Sequence, residues 1–312
     1  VYNRTRSRAE KVAARFNVPR VYDDPEELFR NEKLDFVDII TDVVAHAPMV
    51  YLAARYKVPV ICQKPMAPDF ETCQQMVQTC REAGVPFMIH ENLRWQTPVR
   101  ALKRLLNEGR LGKPFRARLQ LIGCLPSEYI DQPLLKTLEH LILTDMGSHL
   151  LDVARFLFGE ADSLYCQHCR TRDDFAGEDV ATVMMRMGDV TCTCELSNAS
   201  WVEWRYPQLL GLVEGSKGSI EVLPDYQIRV TTQEGTFSRR YDPPDYAWAL
   251  REQLAWHPGI VDCNANLLEA LKTGNPPETS ADDNLKTMRL VYAAYESAAR
   301  NQVITLADER VR

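Results

Sequence analysis

Val58-Pro59-Val60-Ile61-Cys62-Gln63-Lys64-Pro65 is the stretch that decides the fold. Its apolar run, Val58 to Cys62, reads as a buried strand, and Pro65 prevents the strand from continuing. Helical patterns flank it, from Ala47 to Tyr56 and from Asp69 to Ala83. Beyond them lie two more strand-like runs, Leu34 to Thr41 and Val85 to His90. Strands alternating with helices of about 10–15 residues make parallel βαβ units. Arg6 to Phe16 and Pro25 to Arg30 add two helices before them. The chain opens mid-pattern at Val1-Tyr2-Asn3-Arg4, and no Gly-x-Gly-x-x-Gly turn precedes it. Residues 1–95 are expected to form a doubly wound half-domain without its first strand and first turn.

The pattern changes after Pro98. Strand-like runs then follow one another: Phe115 to Ile122, Ser163 to Arg170, Val180 to Met187, Val190 to Ser197, Gln208 to Glu214, Ser219 to Val222 and Gln227 to Thr232. Helical patterns cover Val99 to Gly109, Thr144 to Phe158, Pro258 to Lys272 and Asp282 to Arg300. Gly215 and Gly218 suit a tight turn. Residues 96–312 are therefore expected to be an α+β domain with an open mixed or antiparallel sheet. Met184, Cys192 and Cys194 are expected on its helix-covered face, with the other face meeting a second subunit.

Bulk properties exclude several partners. The formal net charge is −6, which argues against nucleic acid and anionic membrane. No run of 18 apolar residues suggests a membrane span, and the first residues lack a signal-peptide pattern. Nine cysteines, an odd number in 312 residues, read as reduced thiols in a cytoplasmic protein. Cys166, Cys169, Cys192 and Cys194 have the residue types for zinc. On strands, however, Cys166 and Cys169 point to opposite faces, so no metal site is expected.

Three side chains have the right types for proton transfer. Lys64 ends a strand at the carboxyl edge of a parallel sheet, where open α/β folds bind ligands. Asp145 and His149 are four residues apart, on one face of a helix. Asp152 follows on roughly the same face. A surface lysine and a satisfied core histidine are the plainer readings. After Tyr2 there is no carboxylate to bind a ribose 2′-hydroxyl. Asn3 and Arg4, with Arg6 nearby, suit a 2′-phosphate, so NADP is expected over NAD.

Five stretches in order resemble the Gfo/Idh/MocA oxidoreductases: Val1 to Arg4, Ile40-Thr41 through His46-Ala47-Pro48, Gln63-Lys64-Pro65, Glu91-Asn92-Leu93-Arg94-Trp95 through Pro98, and Asp145-x-Gly-x-His149-x-x-Asp152. Gln63 stands where the family has Glu, and Leu141 to Thr144 replace a glycine run. The resemblance implies a Rossmann unit, then an α+β domain that pairs into a homo-dimer or homo-tetramer through its sheet. It implies hydride transfer between a nicotinamide and a secondary alcohol or carbonyl of a sugar or polyol. Lys64, His149 and Asp145 would be catalytic. Asn3, Arg4, Thr41, His46, Gln63, Lys64, Asn92 and Arg94 would contact the cofactor, and Lys64, Trp95, Asp145 and His149 the substrate. Two alternatives stay open: a non-catalytic homologue binding a sugar-like ligand or partner subunit, and a glycosidase using transient hydride transfer. Without the glycine turn, the chain as written is expected to bind a dinucleotide weakly.

Overall fold

The computed structural model describes residues 1–123, 133–202, 208–248 and 257–306, the side chains of 133–134 and 257–258 excepted. Contacts divide the chain into two units: Val1–His90 with Leu267–Leu285, and Glu91–Asn266 with Lys286–Arg312.

The first unit contains α1 (Arg6–Phe16), α2 (Pro25–Asn31), β1 (Val37–Ile39), α3 (His46–Tyr56), β2 (Val60–Gln63), α4 (Phe70–Ala83) and β3 (Phe87–His90). The strands form a parallel sheet in the order β1-β2-β3. Tyr2 makes a separate parallel bridge to Tyr22. Sequence chemistry sets the helix limits. Asp69 caps α4 by accepting from Thr72 N at 2.7 Å, and Gly84 ends it at φ 67°. Asp24 accepts from Glu26 N at 2.8 Å ahead of Pro25 in the first turn of α2. Two expectations are corrected. Only Val37–Ile39 of the run Leu34 to Thr41 forms strand. Leu267–Leu285, read as part of the second domain, belongs to the first unit. The reason is backbone pairing: Ile89 N donates to Thr279 O at 3.0 Å, and Met88 bridges Ser280.

The second unit is built on α5 (Thr97–Asn107), β4 (Pro114–Ile122), α6 (Ser148–Phe158), β5 (Ser163–Cys169), β6 (Val180–Met187), β7 (Val190–Ser197), β8 (Leu210–Gly215), β9 (Gly218–Leu223), β10 (Gln227–Thr232) and β11 (Gly235–Arg240). The chain closes with α7 (His257–Thr273), α8 (Ala281–Arg300) and β12 (Ile304–Thr305). One mixed sheet runs β11-β10-β9-β8-β4-β7-β6-β5-β12. Only β4 and β7 pair in parallel. Buried residues alternate along β6 and β7, so one face is core and the other open. Leu119, Val183, Cys192, Cys194 and Leu196 pack there with Leu150 and Val153 of α6. The expected position of Met184 is corrected. It pairs with Thr193 and is 49% exposed on the open face, whereas Met185 pairs with Cys192 inside. A strand's period of two allows only one of adjacent methionines into the core. Cys166 is buried and Cys169 exposed. The Cys194 thiol is pushed up by its hydrogen bond with Cys192 and by burial.

Candidate active site

In the first unit the carboxyl edge of the parallel sheet carries Thr41 and Asp42 after β1, and Lys64 and Pro65 after β2. His46 braces these two turns. Its Nε2 lies 3.2 Å from Thr41 O, and its Nδ1 lies 3.1 Å from Pro65 O and 3.2 Å from Met66 O. Burial lowers the His46 pKa, and the carbonyls oppose that shift. Both ring nitrogens thus face the main chain. Gln63 and Lys64 are half-buried, and the Lys64–Pro65 peptide is cis. Ile40 and Val44 are 70% and 65% exposed at the same edge. An exposed apolar surface flanked by polar groups, at the carboxyl ends of parallel strands, suits a nicotinamide dinucleotide. These residues fit the group.

At the chain's start, Asn3 Oδ1 accepts from Thr5 N at 2.8 Å, an Asx turn leading into α1. Arg4 is exposed. Arg6 pairs with Glu10 at 3.2 Å and Asp23 at 3.4 Å, both exposed contacts.

In the second unit the candidate residues gather on one helical segment. Residues 143–147 form a π-helical turn that runs directly into α6. Such wide turns recur at functional sites, and no residue pattern announces them. Asp145 therefore sits on the π turn and His149 on α6. From Leu141 to Arg155 every residue is buried except Asp145, which is half-buried.

His149 is not a lone imidazole. Its Nδ1 is hydrogen-bonded to Oε1 of Glu91, and both residues are buried. Asp152, by contrast, is a core carboxylate. Arg94 grips it through Nε to Oδ2 at 2.7 Å and through Nη2 to Oδ1, and Thr287 Oγ1 donates to Oδ1 at 3.1 Å. Burial raises the Asp152 carboxyl, and the Arg94 guanidinium opposes the rise. Arg94 is 5% exposed, so this guanidinium is committed to the core rather than offered at a surface. Trp95 is half-buried beneath the Arg100 guanidinium, 3.6 Å from its ring centroid. Its indole N–H is buried with no acceptor among the described residues. Asn92 is half-buried beside it.

Sequence reasoning missed Glu178. It takes up the first amide groups of the site segment: Leu141 N at 3.1 Å and Leu143 N at 3.2 Å on Oε1, and Ile142 N at 3.2 Å on its own carbonyl. Tyr295 OH donates to the same carboxylate at 2.6 Å. Burial and Glu178 push the Tyr295 hydroxyl above its usual range. A helical segment starts with unsatisfied N–H groups, and here one glutamate from a distant loop answers them. His140 stacks on Tyr295 with ring centroids 4.1 Å apart.

Residues 1–91 match the family described as "Oxidoreductase family, NAD-binding Rossmann fold", and residues 99–221 match the GFO/IDH/MocA C-terminal domain. A D-apiose dehydrogenase of Paraburkholderia graminis is 38% identical over 93% of this chain and 78% of its own length. The chain belongs to the Gfo/Idh/MocA oxidoreductases. A D-apiose dehydrogenase of Rhizobium rhizogenes is 35% identical, covering 98% of this chain and 89% of its own length. A solved oxidoreductase from Agrobacterium radiobacter, in complex with NAD+, L-tartaric acid and magnesium, has a TM-score of 0.94. It is 35% identical and covers 97% of this chain and 89% of its own. As a Gfo/Idh/MocA protein, the chain is an NAD-binding oxidoreductase, and the paired architecture expected from its motifs is present.

Proposed function

We propose that this oxidoreductase oxidises a hydroxyl-bearing carbon of a small sugar or polyol, a pentose-sized sugar such as D-apiose first among them. The observation that carries the proposal is the likeness, at 38% and 35% identity, to two D-apiose dehydrogenases over nearly the whole chain. The site chemistry supports it. The nicotinamide, when bound, takes or returns the hydride. His149 accepts the hydroxyl proton, and Lys64 donates a hydrogen bond to the reacting oxygen. The half-buried Asp145 binds a neighbouring sugar hydroxyl, and the half-buried Trp95 ring lines the sugar. Thr41, Gln63 and Lys64 contact the cofactor directly. His46 and Arg94 serve that role indirectly, one by bracing the Lys64 turn and the other by fixing Asp152.

The dinucleotide we assign is NADP, with NAD as the alternative carried by the Agrobacterium radiobacter relative. The assignment rests on Arg4 and the lack of a carboxylate after Tyr2. No helix among the described residues is long and apolar enough to cross a membrane. Eight described cysteines are free thiols, which supports a reducing, cytoplasmic setting. We assign the open face of the second unit's sheet, with Met184 exposed on it, to a homo-dimer or homo-tetramer contact.

The test is reduction of NADP and NAD by the full-length gene product with D-apiose, D-xylose and myo-inositol. Turnover of one of them supports the proposal. His149→Asn and Lys64→Met are then expected to lower kcat by about 10²–10⁴. Sugar binding without turnover would favour the non-catalytic reading.

A further inference from the structure

Glu91 is the first residue after β3 and opens the Glu91-to-Trp95 stretch, whose sequence gives it no role toward His149. The structure gives it a fixed place. Gly259 of α7 comes so close that a Cβ there would lie 2.8 Å from Asn92 O. The Cys263 thiol donates to Glu91 O at 3.7 Å. The backbone at 91–92 is thus pinned, and the carboxylate stands at Nδ1 of His149 with both side chains buried.

A buried carboxylate facing a ring nitrogen leaves the imidazole little choice. If Nδ1 carried its lone pair, two acceptors would oppose each other without water to separate them. With the proton on Nδ1, the contact is a charge-assisted hydrogen bond. Free histidine in water prefers the proton on Nε2, so this is a tautomer that the protein must impose.

We propose that Glu91 is a positioning residue for the oxidoreductase reaction. It holds the proton of neutral His149 on Nδ1, so that Nε2 is the proton acceptor, and stabilises the imidazolium formed when Nε2 takes the substrate proton. The catalytic half of this proposal rests on the dehydrogenase reading; the tautomer half does not. Other charges near the pair are the Arg94–Asp152 ion pair, on the segment after β3 and on α6, and Asp145 one turn before His149. Arg94 and Asp152 compensate each other, which leaves Glu91 as the carboxylate bonded to the ring.

Two measurements test this. The first is two-dimensional nitrogen–proton correlation on the protein labelled at histidine, with His149 assigned by its loss in His149→Gln. The expected result is a neutral ring protonated on Nδ1. A ring protonated on Nε2, or on both nitrogens at pH 7.5, overturns the proposal without any reference to turnover. The second is Glu91→Gln, checked for a native circular dichroism spectrum. The variant keeps the volume of Glu91 and loses the charge. kcat is expected to fall about 10²–10⁴-fold with KM within about threefold, and the acid limb of the pH profile to move to lower pH. An unchanged kcat and pH profile in a folded variant overturns the catalytic half. A wild-type protein that turns over no sugar sinks the dehydrogenase reading, and the nitrogen spectrum then decides the tautomer alone.

Discussion

Asp152→Asn should be among the most damaging single changes in the second unit, and the reason is Arg94. The Asp152 side chain is wholly buried and that of Arg94 is 6% exposed. Removing the negative charge leaves a guanidinium in the core, facing an amide and the Thr287 hydroxyl. Breaking a buried pair by removing one partner costs about 3–5 kcal/mol. Arg94→Met should cost less, about 2–4 kcal/mol, because Asp152 keeps the Thr287 hydrogen bond and the nearby Arg155 charge. Replacing both, as Arg94→Met with Asp152→Leu, removes both desolvation costs. The double variant should lie within about 2 kcal/mol of wild type, so the two sites are strongly coupled rather than additive. Urea unfolding of wild type, Asp152→Leu, Arg94→Met and the double variant closes the cycle, and a thermal scan should show Asp152→Asn melting roughly 6–20 °C lower. The same variants separate two roles for Arg94. If its guanidinium contacted cofactor, Arg94→Met would raise the dinucleotide KM at nearly unchanged stability. Additive single-site costs, or a loss below about 1 kcal/mol for Asp152→Asn, would refute the reasoning.

Glu178→Ala should strand the Tyr295 hydroxyl and two amides, costing about 2–4 kcal/mol. Amide exchange at Leu141 and Leu143 should quicken before exchange in β6 or β7; equal slowing factors would count against the anchor. The lowered His46 pKa means that the unfolded chain takes up its proton at higher pH than the folded one. Stability should therefore fall as pH drops through about 6.5, and His46→Asn should flatten that slope in denaturant titrations at several pH values. Stabilisation on acidification would mean that the three carbonyls outweigh burial. Arg4→Ala should erase most of a preference for NADP, about ten- to a hundredfold in affinity for one guanidinium–phosphate contact. An NAD preference in wild type, measured by fluorescence titration, would end that assignment.

The parallel sheet was legible because its strands carry continuous apolar runs between amphipathic helices. β2 and β3 are buried through almost their whole length. β11 was not legible by burial pattern, since all of its residues are exposed. Its available signal was the glycine at its start, Gly235, which follows the turn Gln233-Glu234 and takes φ 135°. The side of the sheet taken by Met184 was ambiguous because Met184 and Met185 are adjacent and equally apolar. The candidate residues Lys64, Asp145 and His149 were legible only as motifs. What holds two of them was not. Glu91 lies 58 residues from His149, and Glu178 lies 117 residues from Tyr295. No local periodicity connects residues so far apart, and the π turn has no sequence signature.

Those long-range partners share a logic. The segment from Leu141 to Arg155 is held at three points by three carboxylates. Glu178 takes its first amides, Glu91 takes the ring of His149, and Asp152, on the segment itself, is locked by Arg94 and Thr287. Each contact buries a charge, which is costly unless every partner is present. A helix needing only to cover the sheet would do so more cheaply with apolar side chains, as Leu150, Leu151 and Val153 already do. The ionic anchors add little that packing lacks, except a fixed rotation and register. Those two quantities decide where Asp145 meets solvent and which way the second nitrogen of His149 faces. Preorganisation of that kind is worth its stability cost at a reacting site and has no evident use elsewhere in the unit. On the proposed function, the anchors, more than the motif residues themselves, are what single out this segment as the candidate reacting site.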